Sequence, residues 1–408
     1  MLCDNMKKIL LITNYFYPKT SVATNRMVAF AKYLNYFGYK VYVVTDDNED
    51  RKIINNDIDI TYVKDNSMFR TLDTNIKENM FLHYIKCMYN IIFNNLNLIS
   101  NNWINKVVNV SQQIINENNI DIIISSYPSI ENIVIGSRLK EKNKYIYWIA
   151  DMRDALWTTS VSEKIRNNLL RIGKVYLNNA DGILGVSKPQ VDGYKKFLMN
   201  NKIAFCEVRN GFDFNVKLNN NSLVKKEYFN IVYAGIFYGD RKPDNFFKAL
   251  ENIINNKNIH VTIIGNSAPI HIPNLLKENI YELDRMNYND LIEYMQNEAD
   301  ALLMISPKSV EKGAYTGKIF DYLGCCKPIL ALVPKDDVAA NLIEKANAGY
   351  VAENENIIGI EKILNMAYDD WKNKNKFIPN IDIIKKHHRK NQVKILDKFI
   401  QSLLKGKS

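Results

Sequence analysis

The hydrophobic positions fall in short runs separated by polar or helical stretches. Residues 7–17, KKILLITNYFY, form an apolar run that predicts a strand. Residues 24–37 carry apolar positions at helical spacing, Gly38 breaks them, and KVYVVTD predicts a second strand. Strand, loop, helix and strand in that order open a parallel sheet. Further short runs follow at DIDITYV, DIIISSYP, YIYWIAD and GILGVS, each far enough from the next for a crossover, so the first half predicts a doubly wound α/β domain. Between the first two of these runs, residues 71–119 are rich in Ile, Leu, Met, Phe and Tyr at helical spacing. Helices are expected there, packed on the sheet or resting on a membrane surface or lipid acceptor.

After the strand-like CEVRN come Gly211 and a polar stretch, NVKLNNNSLVKKEY, with many turn formers and no periodicity. Residues 1–210 are therefore expected to form one domain and 211–228 a linker. The pattern then starts afresh. FNIVYAGIFYG is a strand ending at glycine, DRKP a turn, 244–254 a helix and HVTIIGN a strand. ALLMIS, a helix at 318–323, KPILALV, a helix at 338–347 and GYVAE follow. Residues 229–384 thus predict a second Rossmann-like domain, followed by basic helical residues at about 385–408. Two such domains joined by one linker place a deep central cleft between the carboxyl ends of both sheets, where open α/β folds bind ligands.

Composition narrows the function classes. The 408 residues exceed what one core usually organises, and 47% hydrophobic with 24% charged residues is ordinary for a globular chain. No uncharged apolar stretch approaches the roughly 18 residues of a membrane span, so a chain neither secreted nor membrane-spanning is expected. The five cysteines are scattered, without Cys-x-x-Cys spacing, which fits a reducing cytoplasm. A net charge of +10 suits nucleic acid, an anionic membrane surface or phosphorylated ligands. The lysines are spread along the chain with no Arg-rich tract or nucleic-acid module, so no nucleic-acid partner is expected.

The chemistry concentrates in a few segments. In AYTGKIFDYLGCCKPILAL, residues 314–332, Thr316 and Gly317 sit where a loop meets a helix, and free amides at a helix start favour a phosphate. Lys318 adds a cation there. Asp321, three residues on, lies on nearly the same helix face and suits two ribose hydroxyls, although an ordinary helix-surface ion pair would look the same. In YAGIFYGDRKPDNFFKAL, Gly235 lets the chain leave a strand and approach a ligand, and Arg241 and Lys242 follow in the loop. A solvated turn with two exposed cations is the alternative. NYFYPKTSVATNR carries Asn14, Pro18 and Arg26 in the loop after the first strand and the helix that follows. In WIADMRDALW, Asp151, Arg153 and Asp154 crowd the end of a strand, where Arg153 bridging the two aspartates would make a structural network. An aspartate here, Asp151 before Asp154, would serve as general base if the reaction inverts configuration. The histidines share no metal-ligand spacing, with His387 and His388 expected in a basic C-terminal helix. Asp57-Ile58-Asp59, an Asp-x-Asp pattern, opens a strand and reads as coincidence.

TGKIFDYLGCCKPILAL resembles the donor-binding segment of glycosyltransferase family 4, in which a Lys-x-x-Glu-Tyr-Leu helix precedes Gly-Lys-Pro-Ile-Leu. The glycine followed by Arg241 resembles that family's pyrophosphate clamp, the 14–26 loop its acceptor loop, which closes near the donor phosphates so that Arg26 either reaches them or is a helix-surface arginine, and Asp151-Met152-Arg153-Asp154 a segment of related transferases. Val208 to Asp213, VRNGFD, resembles the turn where such chains pass between domains, with a glycine at positive φ. The sequence departs in carrying Asp321 where glutamate is usual and Gly313 where a second acid would lie, with Glu311 out of register. The resemblance implies the GT-B fold, two Rossmann-like doubly wound domains facing a cleft, with the C-terminal helix packing back on the first. It implies a cytoplasmic enzyme, at most peripheral at the inner face of the plasma membrane, that transfers a hexosyl or N-acetylhexosaminyl group. The donor would be a nucleotide diphosphate sugar of UDP or GDP type, and the acceptor a glycan or polyprenyl-linked lipid in capsule or lipopolysaccharide synthesis. No cofactor or metal is required. Lys318 and Arg241 would approach the pyrophosphate and Asp321 the ribose. A sugar-nucleotide 2-epimerase of the same architecture and a non-catalytic accessory subunit remain as alternatives.

Overall fold

The structure is a computed structural model describing residues 6–47, 49–55, 57–64, 101–159, 161–217, 227–237, 239–306, 313 and 315–406. The chain forms two compact units, Met1–Arg209 with Gln392–Ser408, and Asn210–Asn391. In the first, β1 (Lys8–Ile12) leads to α1 (Val22–Tyr36), capped by Ser21, whose hydroxyl accepts from the Thr24 amide at 3.0 Å. Gly38, at φ +93°, turns the chain into β2 (Lys40–Asp47). Then come β3 (Arg51–Asn55), β4 (Ile58–Lys64), α2 (Asn101–Asn118), β5 (Ile122–Tyr127), α3 (Ile130–Lys142), β6 (Tyr147–Met152), α4 (Glu163–Tyr176), β7 (Gly182–Gly185), α5 (Lys188–Leu198) and β8 (Ala204–Glu207).

These strands make an eight-stranded sheet in the order β3-β4-β2-β1-β5-β6-β7-β8, parallel except for β3. Period two divides β1 between two cores. Leu10 and Ile12 pack with Trp103, Trp148 and Tyr194, while Ile9 and Leu11 pack on the other face with Phe30, Leu396 and Ile400. Because both faces are covered, the central strands read as continuous apolar runs.

The second unit repeats the plan with β9 (Phe229–Ala234), α6 (Asp244–Ile253), β10 (Ile259–Ile264), β11 (Ile280–Leu283), α7 (Tyr288–Glu298), β12 (Ala301–Ile305), α8 (Lys318–Cys325), β13 (Ile329–Leu332), α9 (Val338–Lys345), β14 (Gly349–Ala352), α10 (Ile357–Lys372) and α11 (Ile381–Lys386); α12 (Arg389–Lys405) begins in this unit and from Gln392 onward belongs to the first. Its six strands run parallel in the order β11-β10-β9-β12-β13-β14. In each sheet the chain first fills one side of its first strand, then returns to build on the other. The reversals lie between β1 and β5 and between β9 and β12, and ligands of open α/β sheets bind outside the carboxyl ends of strands at such points. No helix among the described residues is long and apolar enough to cross a membrane.

Several expectations are corrected. The edge strand β3 was not foreseen, because all five of its residues are exposed and it exists through antiparallel pairing with β4. β11 and α7 were not singled out either. Of the helical segment expected at 71–119, α2 is present and 71–100 lies outside the described residues. The start of the expected linker is built into the second unit: Phe212 is fully buried, its amide donates to the His387 carbonyl, and its own carbonyl accepts from the Arg389 amide at 2.8 Å. Gly211 is not among the glycines at positive φ; it is needed because a Cβ there would lie 2.3 Å from the His387 carbonyl oxygen. His387 and His388 sit between α11 and α12, where His388 bridges to Phe212, and not inside a helix.

Candidate active site

In the second unit the reversal point is cationic. β9 ends at Ala234, whose amide donates to the buried Tyr322 hydroxyl at 3.1 Å, and Gly235 follows at φ +118°, a conformation that side chains rarely adopt. From the far side of the reversal, α8 begins at Lys318 after Gly317, and no side chain caps its first turn. The Lys318 ammonium lies 3.8 Å from the Tyr233 ring centroid, and a Cβ on Gly235 would stand 3.0 Å from its Nζ. Burial pushes this ammonium from 10.5 down to about 7, and the nearby Arg241 cation pushes the same way. Arg241 is itself half-buried and shifted downward, by burial first. Gly235, Arg241 and Lys318 are thus brought together, from segments far apart in sequence. Lys242 is exposed, and Thr316 turns its hydroxyl toward the Met304 sulfur at 3.8 Å.

Asp321 faces elsewhere. Its carboxylate accepts from the Tyr288 hydroxyl at 2.6 Å, and burial raises it to about 6 against the opposing charge of Arg389. The ion pair with Lys318 that three-residue spacing allows is not formed: the ammonium goes to β9 and the carboxylate to α7 and the start of α12. At the place of the family's second acid, Gly313 adopts φ +98° and donates its amide to Asp337 at 2.9 Å, a backbone state unsuited to a glutamate. Glu311 lies outside the described residues.

The first unit's reversal point is built differently. Asp151, fully buried in β6, accepts from Arg26 Nη2 at 2.7 Å, Arg26 Nε at 3.2 Å and the Ser126 hydroxyl at 2.9 Å. Arg26 also donates to the Arg209 carbonyl at 3.0 Å and is 3% exposed. Two expectations are corrected here. Arg26 is neither a surface arginine nor open to a phosphate, and Asp151, at 0% exposure and clamped by a guanidinium, has no surface on which to meet an acceptor hydroxyl. The partner of Asp151 is Arg26, not Arg153. Arg153 donates to the Tyr127 carbonyl at 3.2 Å and stacks 4.9 Å from the Tyr15 ring centroid. Asp154 opens to solvent, yet the crowding protein shifts its carboxyl upward against the attraction of Arg153. After β1, buried Asn14 accepts from Asn132 at 2.8 Å while its own amide nitrogen has no partner; Lys19 binds the Asn14 carbonyl and, at 2.8 Å, the Asp46 carboxylate. Pro18 is exposed. Asp59 pairs with Lys40 at 2.8 Å, at the amino end of β4. Among the described residues no group of three or more His, Cys, Asp or Glu could hold a metal ion.

No protein-family model and no curated protein matches the sequence. Solved structures do. A glycosyltransferase from Rickettsia africae matches with a TM-score of 0.65 at 13% identity, over 98% of this chain and 100% of the other. The lipopolysaccharide outer core galactosyltransferase WaaB matches at 0.56 and 14% identity, over 97% and 99%. Anabaena HepE, in complex with UDP and glucose, matches at 0.61 and 12% identity, over 97% and 100%. The fold is GT-B.

Within this GT-B chain, sequence reasoning missed Tyr233, Tyr288 and Arg389. Tyr233 was within reach: it is the last residue but one of the strand that ends just before Gly235. Tyr288 and Arg389 carry no motif, and only the fold brings them to Asp321.

Proposed function

We propose that the chain is a glycosyltransferase that takes a sugar from a nucleotide diphosphate donor, UDP first and GDP second, to a glycan or lipid-linked acceptor in surface polysaccharide synthesis. The observation that carries this reading is the meeting of Gly235, Arg241 and Lys318 at the reversal point of the second sheet. Departure of a nucleoside diphosphate needs its growing negative charge met by preorganised donors and cations. Arg241, Lys318 and the uncapped start of α8 supply these, with Thr316 and Gly317 leading into that turn. UDP comes first because HepE, of the same fold, is in complex with UDP and glucose. Asp321 is assigned to the nucleotide ribose, exchanging or sharing its bond from Tyr288. Acceptor recognition falls to the first unit, where Asn14 has a buried amide donor to spare and Asp154 replaces Asp151 as the carboxylate open to a hydroxyl. Work at the inner face of the plasma membrane, without a metal or cofactor, completes the proposal.

The test is thermal stabilisation of the purified chain by UDP, GDP and ADP. A ligand at a hundred times its Kd adds about 2.7 kcal/mol to the folded state. One diphosphate should raise the melting temperature, and replacing both Arg241 and Lys318 by alanine should abolish the rise. A rise that survives the double replacement would refute the donor-site assignment. An accessory subunit would show no response, and a 2-epimerase would convert the nucleotide sugar without an acceptor.

A further inference from the structure

An ammonium largely withdrawn from water ordinarily takes a carboxylate as its partner. Lys318 does not. Among the described residues it forms no ion pair; its contacts are the face of Tyr233 at 3.8 Å and the backbone turn at Gly235, and the charge that bears on it is another cation, Arg241. Tyr233 is 1% exposed and firmly held. It stacks on Phe237 with centroids 4.1 Å apart and planes 9° from parallel, and its hydroxyl donates to the Ile236 carbonyl at 3.3 Å. The ring is thus fixed by the same turn that carries Gly235, and its electron-rich face is the only feature described that attracts the ammonium.

An aromatic face holds a cation in place without cancelling its charge, because the ring's quadrupole carries no net charge. A carboxylate would hold Lys318 as well but would compete with an incoming anion. Resting on the donor-site reading above, we propose that Tyr233 is the positioning residue of the anion site, holding the Lys318 ammonium beside Gly235 so that its whole charge is left to the ligand's diphosphate. The low proton affinity of Lys318, set by burial first and by the Arg241 charge second, agrees with the absence of a carboxylate partner among the described residues. The phenol itself stays protonated, since burial raises it to about 12, so Tyr233 acts through its ring and not as a phenolate.

The test is calorimetric titration of the full chain with UDP, GDP and ADP, beside the nucleosides uridine, guanosine and adenosine. Wild type, Tyr233→Phe, Tyr233→Leu, Lys318→Ala and the Leu/Ala double variant are compared. Tyr233→Phe keeps the ring face and should bind the preferred diphosphate within about twofold of wild type. Tyr233→Leu should weaken it roughly tenfold. Nucleoside binding should not change, and in the Lys318→Ala background Tyr233→Leu should have no further effect on diphosphate affinity. If Tyr233→Leu fails to fold, Tyr233→Met takes its place. Wild type that binds a diphosphate, with an equal loss from Tyr233→Leu whether or not Lys318 is present, overturns the positioning role and leaves the donor site standing. Wild type that binds none of the three diphosphates overturns the donor site, and this inference with it.

Discussion

Replacing Lys318 by methionine removes a charge while nearly keeping the side chain's length, and stability and binding should move in opposite directions. The ammonium is shifted from 10.5 to about 7 by burial and by Arg241. At about 1.36 kcal/mol per unit, the fold disfavours the charged form by at most about 5 kcal/mol. Solvent reaches the half-buried side chain, and the Tyr233 face returns part of the loss, on the order of 1–2 kcal/mol. A net gain of about 1–3 kcal/mol is therefore expected for Lys318→Met at pH 6. The sign follows from proton counts. The unfolded chain keeps this lysine protonated up to its usual value near 10.5, whereas the folded chain releases the proton near 7, so stability rises with pH across that interval. The penalty is complete below pH 7 and fades above it, and the advantage of the variant should shrink by roughly half between pH 6 and pH 9. Urea titration of both proteins at those two pH values measures this. The same variant should lose its thermal response to nucleoside diphosphates, as happens where a site holds its groups at a cost to stability. A variant no more stable than wild type at pH 6, or a gain that does not change with pH, would refute the reasoning.

Asp151→Ala strands the buried Arg26 guanidinium, and urea denaturation should show a loss of about 3–5 kcal/mol. Gly235→Ala forces a side chain into φ +118° and against Lys318. Calorimetry should show a stability loss of about 1–3 kcal/mol and no diphosphate binding. Tyr288→Phe removes the hydroxyl that helps keep Asp321 ionised, so its carboxyl should rise above about 6; nucleotide affinity measured against pH should begin its acid-side fall at a higher pH than in wild type.

The fold class was legible because the central strands are buried on both faces. Runs such as ILLI and FNIVYA are what a covered parallel strand requires, and the fresh start at Phe229 marks the second sheet. The exposed strand β3 has no such signature, since its existence depends on its neighbour. For the site, the residues that leave a trace in sequence are those tied to the backbone: Gly235 at the end of a strand and Lys318 at the start of a helix. What a charged residue pairs with is set by tertiary packing. Arg153 stands two positions from Asp151, yet Arg26 takes that carboxylate. Asp321 stands one turn from Lys318, yet Tyr288 donates to it.

The two reversal points share one topology and use charge differently. In the first unit Arg26 is matched by Asp151 at 2.7 Å and Lys19 by Asp46 at 2.8 Å. What that site can still offer a ligand includes the orphaned Asn14 amide, a neutral donor suited to a hydroxyl or carbonyl oxygen. In the second unit Lys318 is held by a ring face, so among the described residues no carboxylate stands to be displaced by an anion entering there. On the proposed function, a diphosphate would be drawn to the second site and a neutral polyol would suit the first. Adding a carboxylate at the second site, for example by Tyr233→Glu, would neutralise Lys318 internally and should lower diphosphate affinity more than Tyr233→Leu does, although it keeps the ammonium in place.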